Sequence, residues 1–292
     1  MDRSDVLKKK QRLELFTRLK TLSPLAGEWD SSLEGEGSDL SEIREYQPGD
    51  DIRKIDWKTT AKMGQFYMKT FLAERDLTVM ILLDQSRSMR FGSLARKKQE
   101  TQAMVVGLLA LSALVKNNRV GLIGFTDQIE TYIPPQRGRG HLWKIIDVLL
   151  TEPKNPKTSL KCALDWLEAR VKKSLVFIVS DFLIDPAEFE LLRYLNKEYD
   201  LIPVIIEDQR ELELPKGKGL VRLQDMETGQ ILLWDAVQDG EVFAALMQKW
   251  RQTRQEAFSA LGLDYVTFST EEDTYVEKID ALFQKRRMRR VN

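Results

Sequence analysis

Three runs constrain what this chain can become: LTVMILLD (77–84), SLVFIVSDF (174–182) and LIPVIIED (201–208) are apolar at consecutive rather than alternate positions. A strand with one wet face alternates apolar and polar residues, so an uninterrupted Val/Ile/Leu run calls for cover on both faces. Helical stretches separate these runs, over about 95–116, twice more before 174, near 187–197 and over 239–260, and they can supply that cover. RVGLIGFTD (119–127), QIETYIPP (128–135) and DYVTFST (264–270) read as further strands, and LVRLQDMETGQILLWD as a β-hairpin insertion near 219–236. The fold class implied is α/β: a doubly wound, mostly parallel sheet flanked by helices, with right-handed crossovers. Three segments are expected: an N-terminal charged amphipathic helix (1–22) with a lead-in, together over 1–75, the α/β domain over 76–270, and a basic C-terminal helix over 271–292. In such a sheet ligands bind at the carboxyl ends of the strands, so chemistry is sought just after each apolar run.

Composition narrows that chemistry. Lys plus Arg (45) equals Asp plus Glu (45), which lacks the overall basicity of a nucleic-acid coat protein. A single cysteine, Cys162, and a single histidine, His141, cannot build a disulfide framework or a Cys/His zinc site, and they suit a reducing cytoplasm. Hard cations held by oxygen remain. The longest apolar stretch, Met104 to Val115, is short of the roughly 18 residues of a spanning helix. The opening MDRSDVLKKKQRLELF has no apolar run ahead of a cleavage site, so neither a membrane span nor an export signal is expected.

The first run ends in Asp84, followed by Ser86 and Ser88: one carboxylate and two hydroxyls on a loop leaving a buried strand. Such a set suits Mg²⁺, which takes octahedral oxygen ligands at ~2.0–2.1 Å. Asp and Ser in this position also cap helices or make turns. The same choice applies to Thr158, ahead of a helix beginning at Ser159 and Leu160, and to Asp181, ahead of a helix opened by Pro186. Their joint occurrence at one sheet edge is harder to explain by capping.

This pattern resembles the metal-ion-dependent adhesion site (MIDAS) of von Willebrand factor A domains. The lead-in GEGSDLSEIREYQPGDDIRKIDWKTTAKMGQFYMKTF, with the D-x-S-x-S that follows and the hairpin DMETGQILLWD, is similar to the bacterial domain-of-unknown-function family 58 (DUF58). The resemblance runs from about Gly27 to Phe268. It implies Asp84, Ser86, Ser88, Thr158 and Asp181 as ligands of Mg²⁺ (or Mn²⁺) and a protein partner that supplies an acidic side chain as the last ligand. It also implies a MoxR-type AAA+ ATPase as companion. On this reading the chain is a non-enzymatic cytoplasmic adaptor.

Catalysis finds less support. There is no GxxxxGK[ST] loop and no GxSxG elbow, and His141 would be the sole imidazole base. An Mg²⁺-dependent phosphoryl transfer through Asp84 is the remaining enzymatic alternative, although Ser86 stands where such enzymes carry a second carboxylate. Nucleic-acid binding would use KKKQR (8–12) and KRRMRR (285–290), runs that more often are solvated helix ends.

In the lead-in, 27–51 carries nine carboxylates against one basic residue, Arg44. Arg44, Tyr46, Asp50, Asp51, Arg53, Asp56 and Trp57 are expected to pair among themselves, or to form a recognition surface. Met89 and Phe91 either seat the metal loop or contact a partner at its rim. His141 is expected to start a helix, and Cys162 to pack with Leu160, Leu164 and Leu167.

Overall fold

The computed structural model describes residues 39–46, 52, 55–72, 77–93, 96–151, 155, 157–213, 219–226, 229–235 and 237–291. The chain divides into two compact units, one spanning Leu33–Leu77 and a larger one containing Thr78–Asn292.

The smaller unit is built on strand β1 (Asp39–Glu45) paired antiparallel with β2 (Tyr67–Leu72). Between them lies helix α1 (Trp57–Met63). Asp56 starts it by accepting N–H bonds from Lys58 (3.1 Å) and Thr59 (3.4 Å). Gly64, at φ 74°, stops it, since a left-handed C-cap is cheap only without a Cβ.

The larger unit has a six-stranded sheet in the order β10–β7–β6–β3–β4–β5. Its strands are β3 (Thr78–Asp84), β4 (Arg119–Phe125), β5 (Ile129–Gln136), β6 (Leu175–Ser180), β7 (Asp200–Glu207) and β10 (Val266–Ser269). All pairings are parallel except β4 with β5. The helices are α2 (Lys98–Val115), α3 (Arg139–Leu149), α4 (Leu160–Arg170), α5 (Phe189–Leu195), the short α6 (Gln209–Leu212), α7 (Gly240–Ala260) and α8 (Tyr275–Val291). Strands β8 (Leu220–Gln224) and β9 (Ile231–Asp235) form the separate hairpin expected near 219–236.

The apolar runs are continuous because both faces are covered. Met80 and Leu82 of β3 join Val176 and Ile178 of β6 in a core with Leu164 and Leu167 of α4, Leu192 of α5 and Phe258 of α7. By the two-residue period of a strand, Val79, Ile81 and Leu83 face the other way, and they are equally buried. The C-terminal helix corrects the expected division at 270, because Tyr275, Val276, Ile279, Leu282 and Phe283 of α8 are buried, and Phe283 meets Phe177 of β6 edge-on at 6.3 Å. Their spacing is a helical stripe, so α8 is part of the α/β unit. No helix among the described residues is long and apolar enough to cross a membrane.

The chain runs outward from β3 to β4 and β5, then returns to the other side of β3 as β6 and continues to β7 and β10. The carboxyl ends of β3 and β6 therefore form the topological switch point, the crevice where open α/β sheets bind ligands.

Candidate metal centre

Asp84 ends β3 and Ser180–Asp181 end β6, so sheet topology alone places them side by side. Gln102 of α2 joins the two strand ends through its side-chain amide, which donates to the Asp84 carbonyl at 2.8 Å and the Val179 carbonyl at 3.4 Å. Asp84 is fully buried. Its Oδ1 accepts the Ser86 N–H at 2.8 Å, and its Oδ2 accepts the hydroxyls of Ser180 (2.5 Å) and Thr158 (3.3 Å). The Ser86 and Ser88 hydroxyls are 3.0 Å apart, and Ser88 also bonds toward Asp181. The five residues singled out from the sequence thus converge.

Capping does not account for them. The N-cap of α4 is Ser159, whose hydroxyl accepts the Cys162 N–H at 3.4 Å, leaving Thr158 for Asp84. Asp185, not Asp181, caps the 3₁₀ turn at Pro186 by accepting the Ala187 N–H at 2.9 Å. Ser86 precedes the 3₁₀ turn Arg87–Arg90 without a side-chain cap bond. Ser159 N–H, bonded to the Thr126 carbonyl at 3.0 Å just beyond β4, holds the Thr158 loop at the sheet edge.

Electrostatics separate the two carboxylates. Burial, followed by the nearby charge of Asp181, pushes Asp84 up from 3.8 to about 6, and its bonded partners above are neutral donors. Burial acts upward on Asp181, but the Lys98 ammonium and the bonds from the Leu183 N–H and the Ser88 hydroxyl together outweigh it and hold Asp181 below the usual carboxylate range. Lys98, at the first turn of α2, has no exposed side-chain surface and donates to Asp181 Oδ2 at 2.7 Å and Glu211 Oε1 at 2.6 Å. Burial works against its charge, but the two carboxylates keep its pKa raised. Asp181 Oδ1 accepts the Leu183 N–H at 3.0 Å, and the buried Arg254 of α7 donates to the Asp181 carbonyl at 3.1 Å and pairs with Glu207. The turn that aims these groups passes through Phe182 at φ 53°, unusual for a bulky residue, where edge-on packing against Phe258 at 5.3 Å holds it.

The donor set fits a divalent cation. A buried carboxylate with a raised pKa and only neutral bonded partners is a place where positive charge is favourable, and the surrounding hydroxyls are hard oxygen donors. Among the described residues, no group of three or more His, Cys, Asp or Glu gathers for a metal. A divalent ion held here would draw mostly on the hydroxyls of Ser86, Ser88 and Thr158 for oxygen.

Ser180, Gln102, Lys98, Glu211 and Arg254 were not singled out by sequence reasoning. Ser180 alone carried a usable signal, as the last residue of an apolar run beside Asp181. The structure corrects the partner-facing reading of Met89: its side chain is 1% exposed, so it seats the loop. Phe91 is partly exposed, and its carbonyl accepts the Lys98 N–H at 2.8 Å. In the smaller unit, Tyr46 and Trp57 each lie edge-on to Phe66, at 6.3 and 6.4 Å, with Trp57 62% exposed. Asp50, Asp51, Arg53 and the Arg44 side chain lie outside the described residues, as does KKKQR. The C-terminal basic run is largely engaged: Arg286 pairs with Asp200 and Asp264, and Arg289 with Asp264 at 2.7 Å. His141 lies in the first turn of α3, its Nε2 2.7 Å from the Val120 carbonyl. Cys162 departs from expectation, since it is only partly buried and lines a shallow groove with Ser159, Asp165 and Trp166 on the outer side of α4.

The uncharacterized protein Rv1480 of Mycobacterium tuberculosis is 29% identical over 223 residues, covering 75% of this chain and 70% of that protein. A crystal structure of the conserved hypothetical protein BatB from Bacteroides thetaiotaomicron aligns with 14% identity, 73% of this chain, 99% of that chain and a TM-score of 0.49. The crystal structure of the SpRpn10 VWA domain aligns with 13% identity, 72% and 94% coverage and a TM-score of 0.41. The β3–β6 switch point and the single antiparallel edge strand β5 make the sheet the doubly wound, mostly parallel α/β architecture expected from the sequence. Residues 42–256 match the family described as "Protein of unknown function DUF58", and the chain belongs to that family.

Proposed function

We propose that this protein is a non-enzymatic, divalent-metal-dependent protein-binding module, with Asp84, Ser86, Ser88, Thr158 and Asp181 holding Mg²⁺ or Mn²⁺. One observation carries the reading: among the described residues, a buried carboxylate with only neutral bonded partners sits at the switch point beside the hydroxyls of Ser86, Ser88 and Thr158, none of which makes a helix-capping bond there. A bound divalent ion would supply a positive charge and an open coordination position to an incoming carboxylate. The chain's own groups do the rest: Asp84 provides the negative charge, the hydroxyls provide neutral oxygens, and Lys98 neutralises Asp181. A protein partner presenting an exposed Asp or Glu is the ligand class that follows.

The family resemblance adds a MoxR-type AAA+ ATPase, or its client, as the partner to test first, with this chain as adaptor or co-chaperone in the assembly or maturation of other proteins. The test is capture of that ATPase from lysate by wild type and Asp84→Ala, each with Mg²⁺ and with EDTA. Capture by wild type in Mg²⁺ alone is expected. Equal capture in EDTA, with circular dichroism showing both proteins folded, would overturn the reading.

A further inference from the structure

A lysine in the first turn of a helix is on the wrong end of the helix dipole, and a lysine with no exposed side-chain surface gives up its hydration as well. Lys98 accepts both penalties. Its backbone N–H is fixed to the Phe91 carbonyl at the end of the D-x-S-x-S turn, and its ammonium reaches Asp181 on one side and Glu211 on the other. Glu211 is itself held next to the site: Asp208 caps α6 and also accepts from Ser93 (2.5 Å) and Thr270 (2.9 Å). A buried charge placed this way, tied by backbone and side chain to the proposed ligand loop and to a ligand carboxylate, asks for a role beyond packing.

We propose that Lys98 is the resident cation of the site, which sets how strongly a divalent ion is held and how much positive field is left for a partner's carboxylate. The inference rests on the metal-dependent reading and deepens it. Asp84, Asp181 and Glu211 together would over-neutralise a divalent ion, and a partner's carboxylate would then approach a net negative site. Lys98 cancels one of those charges, so two carboxylate charges remain to balance the divalent ion and the loaded site is no longer net negative toward a partner's carboxylate. The trade is weaker metal binding for stronger acid binding. A merely structural lysine would weaken both when removed.

The experiment uses the full chain and two probes: Mn²⁺ affinity by calorimetry, and acetate binding read as Mn²⁺-dependent broadening of its methyl proton resonance at saturating Mn²⁺. Lys98→Met is expected to bind Mn²⁺ about tenfold more tightly or better, since a unit charge beside a partly sheltered ion acts strongly, and to broaden acetate less than wild type does. Glu211→Gln leaves Lys98 less compensated and is expected to move both readouts the opposite way; this variant keeps the proposal testable if Lys98→Met does not fold. Mn²⁺ binding by wild type that is unchanged or weakened in folded Lys98→Met, or shifted the same way by both variants, overturns the role of Lys98 while leaving the metal site standing. No Mn²⁺ binding by wild type overturns the metal site itself, and the role of Lys98 with it.

Discussion

Replacing Asp84 with Asn removes a charge from the centre of the site and almost nothing of its shape. Because burial and Asp181 raise Asp84 from 3.8 to about 6 in the folded protein, the folded state holds this proton more tightly than the unfolded chain does. Its contribution to stability is therefore fully present below pH 3.8 and is lost as pH rises through about 6. A shift of that size corresponds to about 3 kcal/mol. In Asp84→Asn the amide oxygen can still accept from Ser180 and Thr158, but the amide nitrogen opposes the Ser86 N–H, a loss of about 1 kcal/mol at any pH. The variant should be less stable than wild type below pH 4 and, in EDTA at pH 7, more stable by about 2 kcal/mol, or about 4 °C in melting temperature. Mg²⁺ should raise the melting temperature of wild type at pH 7 and leave the variant unmoved. Thermal melts across pH, with and without the metal, read all of this. A variant destabilised equally at both pH values would refute the electrostatic account of Asp84.

Two further substitutions separate site from scaffold. Ser159→Ala removes the α4 cap and should cost about 1 kcal/mol while Mn²⁺ affinity holds, whereas Thr158→Ala should lower Mn²⁺ affinity with little effect on stability; melts and calorimetry on the two proteins check the split. Gln102→Ala leaves the Asp84 and Val179 carbonyls without their shared donor and should cost about 1–3 kcal/mol, measured by urea unfolding, and should also weaken Mn²⁺ binding because the two strand ends lose their link.

The sheet was legible because burial on both faces leaves an unambiguous trace: 77–84 and 174–182 contain the central strands β3 and β6, and 201–208 covers all of β7 but Asp200. The convergence of Asp84 and Asp181 was legible for a related reason, since both stand where neighbouring central strands end. What the sequence hides is long-range pairing. Lys98 follows Lys97 in a charged stretch and reads as solvated, yet its partners lie 83 and 113 residues away. Gln102 looks like one polar residue on a mostly apolar helix, and only the packing of α2 across the strand ends gives it two carbonyls. The α8 stripe was masked by the basic run that follows it, of which Arg286 pairs with Asp200 and Arg289 with Asp264.

The most direct test is a crystal of wild type soaked in Mn²⁺ and measured at the manganese absorption edge. One anomalous peak is expected in the space bounded by Asp84, Ser86, Ser88 and Thr158, absent from Asp84→Ala. Saturating Mn²⁺ with no peak there, and the Thr158 hydroxyl still donating to Asp84, would contradict the metal centre.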